Sequence, residues 1–267
     1  MVHRSEILHS SHFQTYYQQV LPSAALAPFV KAYWRLESYQ PLPMGVAEHY
    51  LPSLEARLVL PFGNSCYYQL PGHKPQAIEG PHLVLPQAQP LACLHPASQG
   101  ILGVSLTPAG LASFLQGVPS AGAILPLPDW LTCQSELARL GLFELQHRFL
   151  AQTLEALFWP TPNTTLLTGA LAQLEQGAAI SEVASELGLS ARSLQRLFVQ
   201  TLGHSPRTCL RVMRLRRTLK MYWQNPERRI WDSEYCDYSH FYKEFKALMG
   251  QSPSAYLQQF PAPSLPV

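Results

Sequence analysis

Proline divides this chain into two stretches with different folding options. From Leu21 to Pro128 it recurs every few residues, and after Pro162 it is sparse. A proline lacks the N–H and its ring clashes with the preceding helical turn, so long helices are excluded from the first stretch. The apolar runs there are short and strand-like: 57–62 (RLVLPF), 65–70 (SCYYQL), 82–85 (HLVL) and 101–106 (ILGVSL). In the last, Leu102, Val104 and Leu106 alternate with the smaller Gly103 and Ser105, which predicts a strand buried on one side. Residues 26–34 (LAPFVKAYW) read as a short helix. Thr107-Pro108 opens another, which reaches Gln116 before Gly117 stops it. Residues 20–128 are thus expected to form a mostly β unit with helical attachments.

Residues 135–159 are free of proline and carry Leu137, Leu140, Phe143, Leu145, Phe149 and Leu150 at roughly helical spacing. WPTPN at 159–163 then breaks the chain and marks a domain boundary. Beyond it, 164–176, 180–187, 191–202, 206–223, 239–249 and 254–260 read as six helices. The expected fold is two domains: a mostly β (α+β) N-terminal domain over 1–160 and an all-α C-terminal domain over 161–262, with a disordered tail at 263–267. A length of 267 residues, 47% of them apolar, supports two modest cores.

Charge follows the same division. The net +2 conceals 7 Lys/Arg against 9 Asp/Glu in residues 1–160, and 12 against 8 in 161–267. A basic C-terminal half suits a polyanionic partner. The five cysteines are scattered with no C-x-x-C pair, which disfavours a disulfide framework or zinc site and fits a reducing cytoplasm. The N-terminus has no apolar core of signal-peptide length, and no run approaches a transmembrane span, so a membrane is not an expected partner.

The most specific stretch is 180–198, ISEVASELGLSARSLQRLF. Two short helices packed at a steep angle admit only a small side chain where they cross, and Ala184 stands in that slot. The turn needs a residue comfortable at positive φ, and Gly188 supplies it. Val183, Leu187, Leu189, Leu194 and Leu197 sit where such a pair builds its core, and Ser190 is placed to N-cap the second helix. With Leu194, Leu197 and Phe198 inward, Arg192, Ser193, Gln195 and Arg196 are left outside. Arg pairs bidentately with guanine, and Gln with adenine, from the major groove. The next helix carries Arg207, Arg211, Arg214, Arg217 and Lys220 at spacings of three and four, a basic stripe suited to phosphate contacts.

The string 190–206 (SARSLQRLFVQTLGHSP) resembles the first recognition helix of the AraC/XylS family and its G-x-S-P exit, and Arg214-Leu215 resembles the R-L of that family's linker helix. Asp237-Tyr238-Ser239-His240-Phe241, Phe245-Lys246, Gly250-Gln251-Ser252-Pro253 and Tyr256 resemble the second recognition helix and the signature ending. The resemblance covers about 164–260. It implies two helix-turn-helix units joined by a long helix, reading adjacent major-groove segments of double-stranded DNA as a bacterial transcription regulator. Carried over by position, Arg192, Gln195 and Arg196 are base-reading candidates in the first unit, and Ser239, Tyr242 and Lys243 in the second. Arg211 is the candidate phosphate contact.

The second unit departs from that pattern. Ile230 matches the usual opening of a scaffold helix, yet Tyr235 arrives about four residues early, roughly one helical turn. No residue remains for the small crossing slot, and Glu234 stands where a turn glycine is expected. Base reading is therefore expected to rest mainly on the first unit. A degenerate relative with weakened DNA binding, acting through protein interaction or effector binding, is the alternative.

Tyr33-Trp34, 51–64, 80–86 and 101–115 resemble, less specifically, a regulatory domain attached to some members of the family. That implies a small-molecule effector in the N-terminal domain, a homodimer, or both, and a contact with RNA polymerase if the chain is an activator. Tyr50, Tyr67, Tyr68 and Trp34 are either pocket or core. Eight of the ten histidines precede Pro160, without an H-x-H or H-x-x-x-H pair, so neither a metal nor another cofactor is expected. No G-x-S-x-G, phosphate-binding glycine loop or paired-carboxylate motif points to an enzyme; Gly103-Val104-Ser105 lacks the following glycine.

Overall fold

A computed structural model describes residues 7–8, 15–38, 46–63, 65–95, 100–115, 124–224, 229–231 and 234–259. The strands are β1 (Ile7–Leu8), β2 (Thr15–Val20), β3 (Val30–Ser38), β4 (Val46–Tyr50), β5 (Ala56–Phe62), β6 (Cys66–Gln69), β7 (Gln76–Ile78), β8 (His82–Val84), β9 (Leu91–His95), β10 (Gly100–Leu106) and β11 (Ile124–Pro126). One sheet runs β1-β4-β9-β6-β7 and the other β11-β8-β5-β10-β3-β2. The helices are α1 (Pro108–Phe114), α2 (Leu131–Leu140), α3 (Phe143–Glu155), α4 (Pro162–Glu175), α5 (Ile180–Glu186), α6 (Ala191–Leu202), α7 (Pro206–Gln224), α8 (Tyr238–Met249) and α9 (Pro253–Gln259). The N-terminal part is thus β-rich and the C-terminal part helical. The four strand-like runs correspond to β5, β6, β8 and β10, and the six expected helices to α4–α9. Gln116, Gly117 and the tail at 263–267 lie outside the described residues.

Two expectations are corrected. Residues 26–34 are not a helix: 24–29 form a turn, and Val30 begins β3. Alternate faces of β3 are both covered, so Val30, Ala32, Tyr33, Trp34 and Leu36 are all buried, and a two-sided strand has no alternation to distinguish it from a short helix. For the same reason β10 is not one-sided. It lies between β5 and β3, and Ile101 is as buried as Leu102. Gly103 is small because the Trp34 ring fills the space beside it: a Cβ there would lie 2.1 Å from that ring.

The two faces of the six-stranded sheet feed two clusters. Trp34, Val59, Val84 and Ile101 pack between the sheets with Tyr50, Cys66, Tyr68, Leu91 and Cys93. His82 is buried there, with Nδ1 donating to the Gly80 carbonyl (2.8 Å) and Nε2 accepting from the Tyr68 hydroxyl (2.7 Å). The opposite face, Leu58, Leu60, Leu83, Leu102 and Val104, packs with Leu137, Leu150, Leu154 and Phe158, and that cluster continues into Leu167, Leu174, Leu194 and Leu215. Thr107 anchors the crossing by donating from its N–H to Phe29 O (2.9 Å), and its hydroxyl caps α1 at Gly110 N (3.0 Å). α1 then packs against both α4 and α6.

Each large side chain buried in this way contributes about 1.5–3 kcal/mol, which leaves little slack around Trp34. Gly103→Ala is expected to destabilise the protein by about 1–3 kcal/mol through overpacking against that ring. A drop in the urea midpoint with an unchanged m-value checks this.

Candidate nucleic-acid interface

The first helical pair forms as its residues dictate. Ala184 and Val183 are buried beneath α6, and Gly188 turns the chain at φ +65°. That turn lets Leu189 N reach Ala184 O at 2.8 Å. The Glu182 carboxylate accepts from Ala179 N (2.9 Å) at the start of α5, and Ser190 Oγ accepts from Ser193 N (3.1 Å) at the start of α6. Leu194, Leu197 and Phe198 face inward. Arg192, Gln195 and Arg196 are exposed on the outer face. Ser193 differs from them: it is half-buried, and its hydroxyl bonds to that of Ser190 (2.9 Å), so its first role is within the cap. The outer face also includes Val199, 42% exposed, which sequence reasoning missed. Its signal was the i, i+4, i+7 spacing of Arg192, Arg196 and Val199 that places it on the same stripe.

The second pair is built differently. No helix stands between α7 and α8 among the described residues 229–231 and 234–237. Rings occupy the place of a scaffold helix. Trp231 lies 4.8 Å from Tyr238 and 6.4 Å from Phe241, and Tyr235 lies 5.2 Å from Phe241 and 5.3 Å from His240. Ile230 and Tyr235 are buried, and burial, with the Glu244 carboxylate nearby, raises the Tyr235 phenol well above its ordinary value. Asp237 Oδ1 accepts from His240 N (2.7 Å), capping α8. Ser239 and Lys243 are exposed, while Tyr242 is half-buried with its ring 6.0 Å from that of Tyr238.

The basic stripe of α7 is largely tied down, which its sequence spacing did not reveal. Arg211 and Arg214 reach Glu244 of α8 at 3.4 and 3.3 Å. Arg217 donates to Glu175 O (2.6 Å) and to Glu234 (2.9 Å). Arg207 and Lys220 are exposed and make no ion pair among the described residues. Arg207, Arg211, Arg214, His240, Lys243 and Glu244 line a groove of about 490 Å³ between α7 and α8.

The helical part is also gripped by the β-rich part. Arg216 donates to Pro52 O (3.1 Å), and His204, just past α6, donates from Nε2 to Pro86 O (3.1 Å). Burial lowers the His204 pKa, with the Pro86 bond offsetting part of that, so the ring docks neutral at neutral pH. A cleft of about 700 Å³ opens between the two parts. Leu51, Leu54, Leu171 and Met213 supply apolar wall, and Lys31, Arg216, Arg217, Lys220, Glu55 and Glu175 are the charged residues that line it. Burial alone would raise the Glu55 carboxyl, yet Lys31 at 2.5 Å, Arg216 and Arg57 hold it below the usual carboxylate range. Tyr68 and Trp34 are core, Tyr50 is buried beside a small cavity of about 70 Å³, and Tyr67 is 39% exposed. Among the described residues no helix is long and apolar enough to cross a membrane.

A family model described as a helix-turn-helix domain matches residues 183–259. No curated protein matches the chain. Among solved structures, ToxT of Vibrio cholerae with an unsaturated fatty acid bound is similar over 94% of this chain and 97% of its own, at 11% identity and a TM-score of 0.47. The AraC-like transcriptional activator CuxR is similar over 77% of this chain and 86% of its own, at 14% identity and a TM-score of 0.31. Residues 183–259 are thus similar to a helix-turn-helix domain.

Proposed function

We propose that the chain is a sequence-specific transcription regulator whose residues 161–262 read DNA, mainly through the first helical pair, under control of residues 1–160. The observation that carries this reading is α6 itself: Leu194, Leu197 and Phe198 anchor it, and Arg192, Gln195 and Arg196 stand exposed on the other side. Val199 beside them suits a thymine methyl group. Ser239 and Lys243 are the corresponding exposed positions of α8, with Tyr242 beneath them. The lack of a scaffold helix among the described residues between α7 and α8 favours a second reading, a relative with weakened DNA binding that acts through its effector or a protein partner.

Gel-shift titration with DNA selected from a random library separates the two. Arg196→Ala is expected to cost about 1–3 kcal/mol at the preferred site and to relax one base position. Arg211→Ala is expected to weaken all sequences alike and flatten the salt dependence. Only weak binding without sequence preference in the unaltered protein supports the second reading.

The 700 Å³ cleft fits an amphipathic anion, a carboxylate on an apolar chain: Leu51, Leu54, Leu171 and Met213 take the chain, and Arg216 and Lys220 the headgroup. Because its walls come from both parts of the molecule, an occupant changes how firmly they hold each other, and by linkage DNA and occupant affect each other's affinity equally. A long-chain fatty acid is expected to raise the melting temperature while the matching alcohol does not, and Lys220→Ala is expected to reduce that rise. Equal shifts with acid and alcohol would exclude a carboxylate-specific site.

A further inference from the structure

We infer that the groove between α7 and α8 seats a backbone phosphate of the bound DNA, and that Glu244 is the positioning residue that builds this seat. The inference rests on the DNA-binding reading and deepens it by giving the second helical pair a task other than base reading. Arg207, Arg211, Arg214 and Lys243 line the groove against the single carboxylate of Glu244, so it holds an excess of three positive charges. His240 adds a further ring nitrogen at the rim.

The cations come from two elements, and Glu244 is what joins them. It sits on α8 with its side chain only 11% exposed; it accepts a hydrogen bond from Arg214 at 3.3 Å and forms an ion pair with Arg211 at 3.4 Å. Left alone, two guanidiniums three residues apart on α7 would repel each other and extend into water. Bridged by one carboxylate they are drawn onto α8, at 34% and 25% exposure. Each guanidinium has five N–H donors in a fixed fork, more than one carboxylate can engage. The remaining donors are held ready for a second anion. Lys243, one residue before Glu244, and Arg207, one turn before Arg211, are exposed and make no ion pair among the described residues.

This chemistry favours a phosphate over a base edge. A guanidinium tied to Glu244 has lost the reach that bidentate reading of a guanine requires, while a phosphate oxygen can approach the tethered fork from the open side. The groove is bounded by the helix that follows the first pair and by the recognition helix of the second. A strand crossing it is therefore held by both pairs at once. That holding matters here because what supports α8 from behind, among the described residues, is a cluster of rings.

The sign of one substitution separates positioning from simple charge. Glu244→Gln removes a negative charge, so general electrostatics predicts tighter DNA binding. If Glu244 builds the seat, affinity is expected to fall about tenfold, with a log–log salt slope lower by about one. The exposed variants Arg207→Ala and Lys243→Ala, which do not threaten folding, are expected to lower the slope by about one each, Arg207→Ala with base preference kept. Phosphate-ethylation interference on the full-length protein locates the seat. In the unaltered protein, ethylation of one phosphate flanking the site read by Arg196 blocks binding; in Lys243→Ala that modification no longer matters, while interference elsewhere persists. Tighter or unchanged binding by Glu244→Gln, or an identical interference pattern in Lys243→Ala, overturns the seat and leaves sequence-specific binding standing. Absence of sequence-specific binding by the unaltered protein overturns the functional reading, and the seat with it.

Discussion

The outer face of the six-stranded sheet has to be covered, and the way it is covered organises the rest of the molecule. Leu58, Leu60, Leu83, Leu102 and Val104 present an apolar surface that cannot be left to water. α2 and α3 cover part of it through Leu137, Leu150 and Leu154. α1, pinned to the turn at Phe29 by Thr107, extends the cluster to α4 and α6. The helix that carries Arg192, Gln195 and Arg196 is therefore supported from behind by the β-rich part as well as by α5. The sheet and α6 are thus joined through contiguous buried side chains, the kind of contact network through which packing changes can be transmitted.

Polar contacts refine what the apolar cluster holds. Arg216 and His204 bond to backbone carbonyls of Pro52 and Pro86 rather than to side chains, so they fix position without adding a buried ion pair. Between them the cleft keeps Lys31, Arg217 and Lys220 beside Leu51, Leu54 and Met213.

The second helical pair shows how one structural role passes to different chemistry. A scaffold helix would orient α8 by burying an apolar stripe against it. Here Trp231 and Tyr235 bury against Phe241, and Arg217 ties Glu234, the residue standing where a turn glycine was expected. Glu234 is thus the ion-pair partner of Arg217 on α7. Glu244 does the same for Arg211 and Arg214, so much of the basic stripe is spent on holding the two pairs together.

The C-terminal helices were legible in the sequence almost residue by residue. Their signals are local: a 3.6-residue period, Ser190 and Asp237 as caps, and Gly188 at a turn that only a residue tolerant of positive φ can make. The exposed set Arg192, Gln195 and Arg196 follows from the same period. The strands β5, β6, β8 and β10 were legible because proline excludes the alternative. What the sequence could not reveal were the partners met across long separations in the chain. Val30–Trp34 read as helix because a strand covered on both faces carries no alternation. Gly103 read as a small residue of a one-sided strand because the Trp34 ring that packs against it comes from another strand. The arginines of α7 read as a free stripe because Glu234 and Glu244 are brought to them only when α8 docks. Local periodicity and backbone chemistry determined the elements and the face of α6. Packing between elements, which depends on where each side chain ends in space, decided which charges are paired and where the clefts lie.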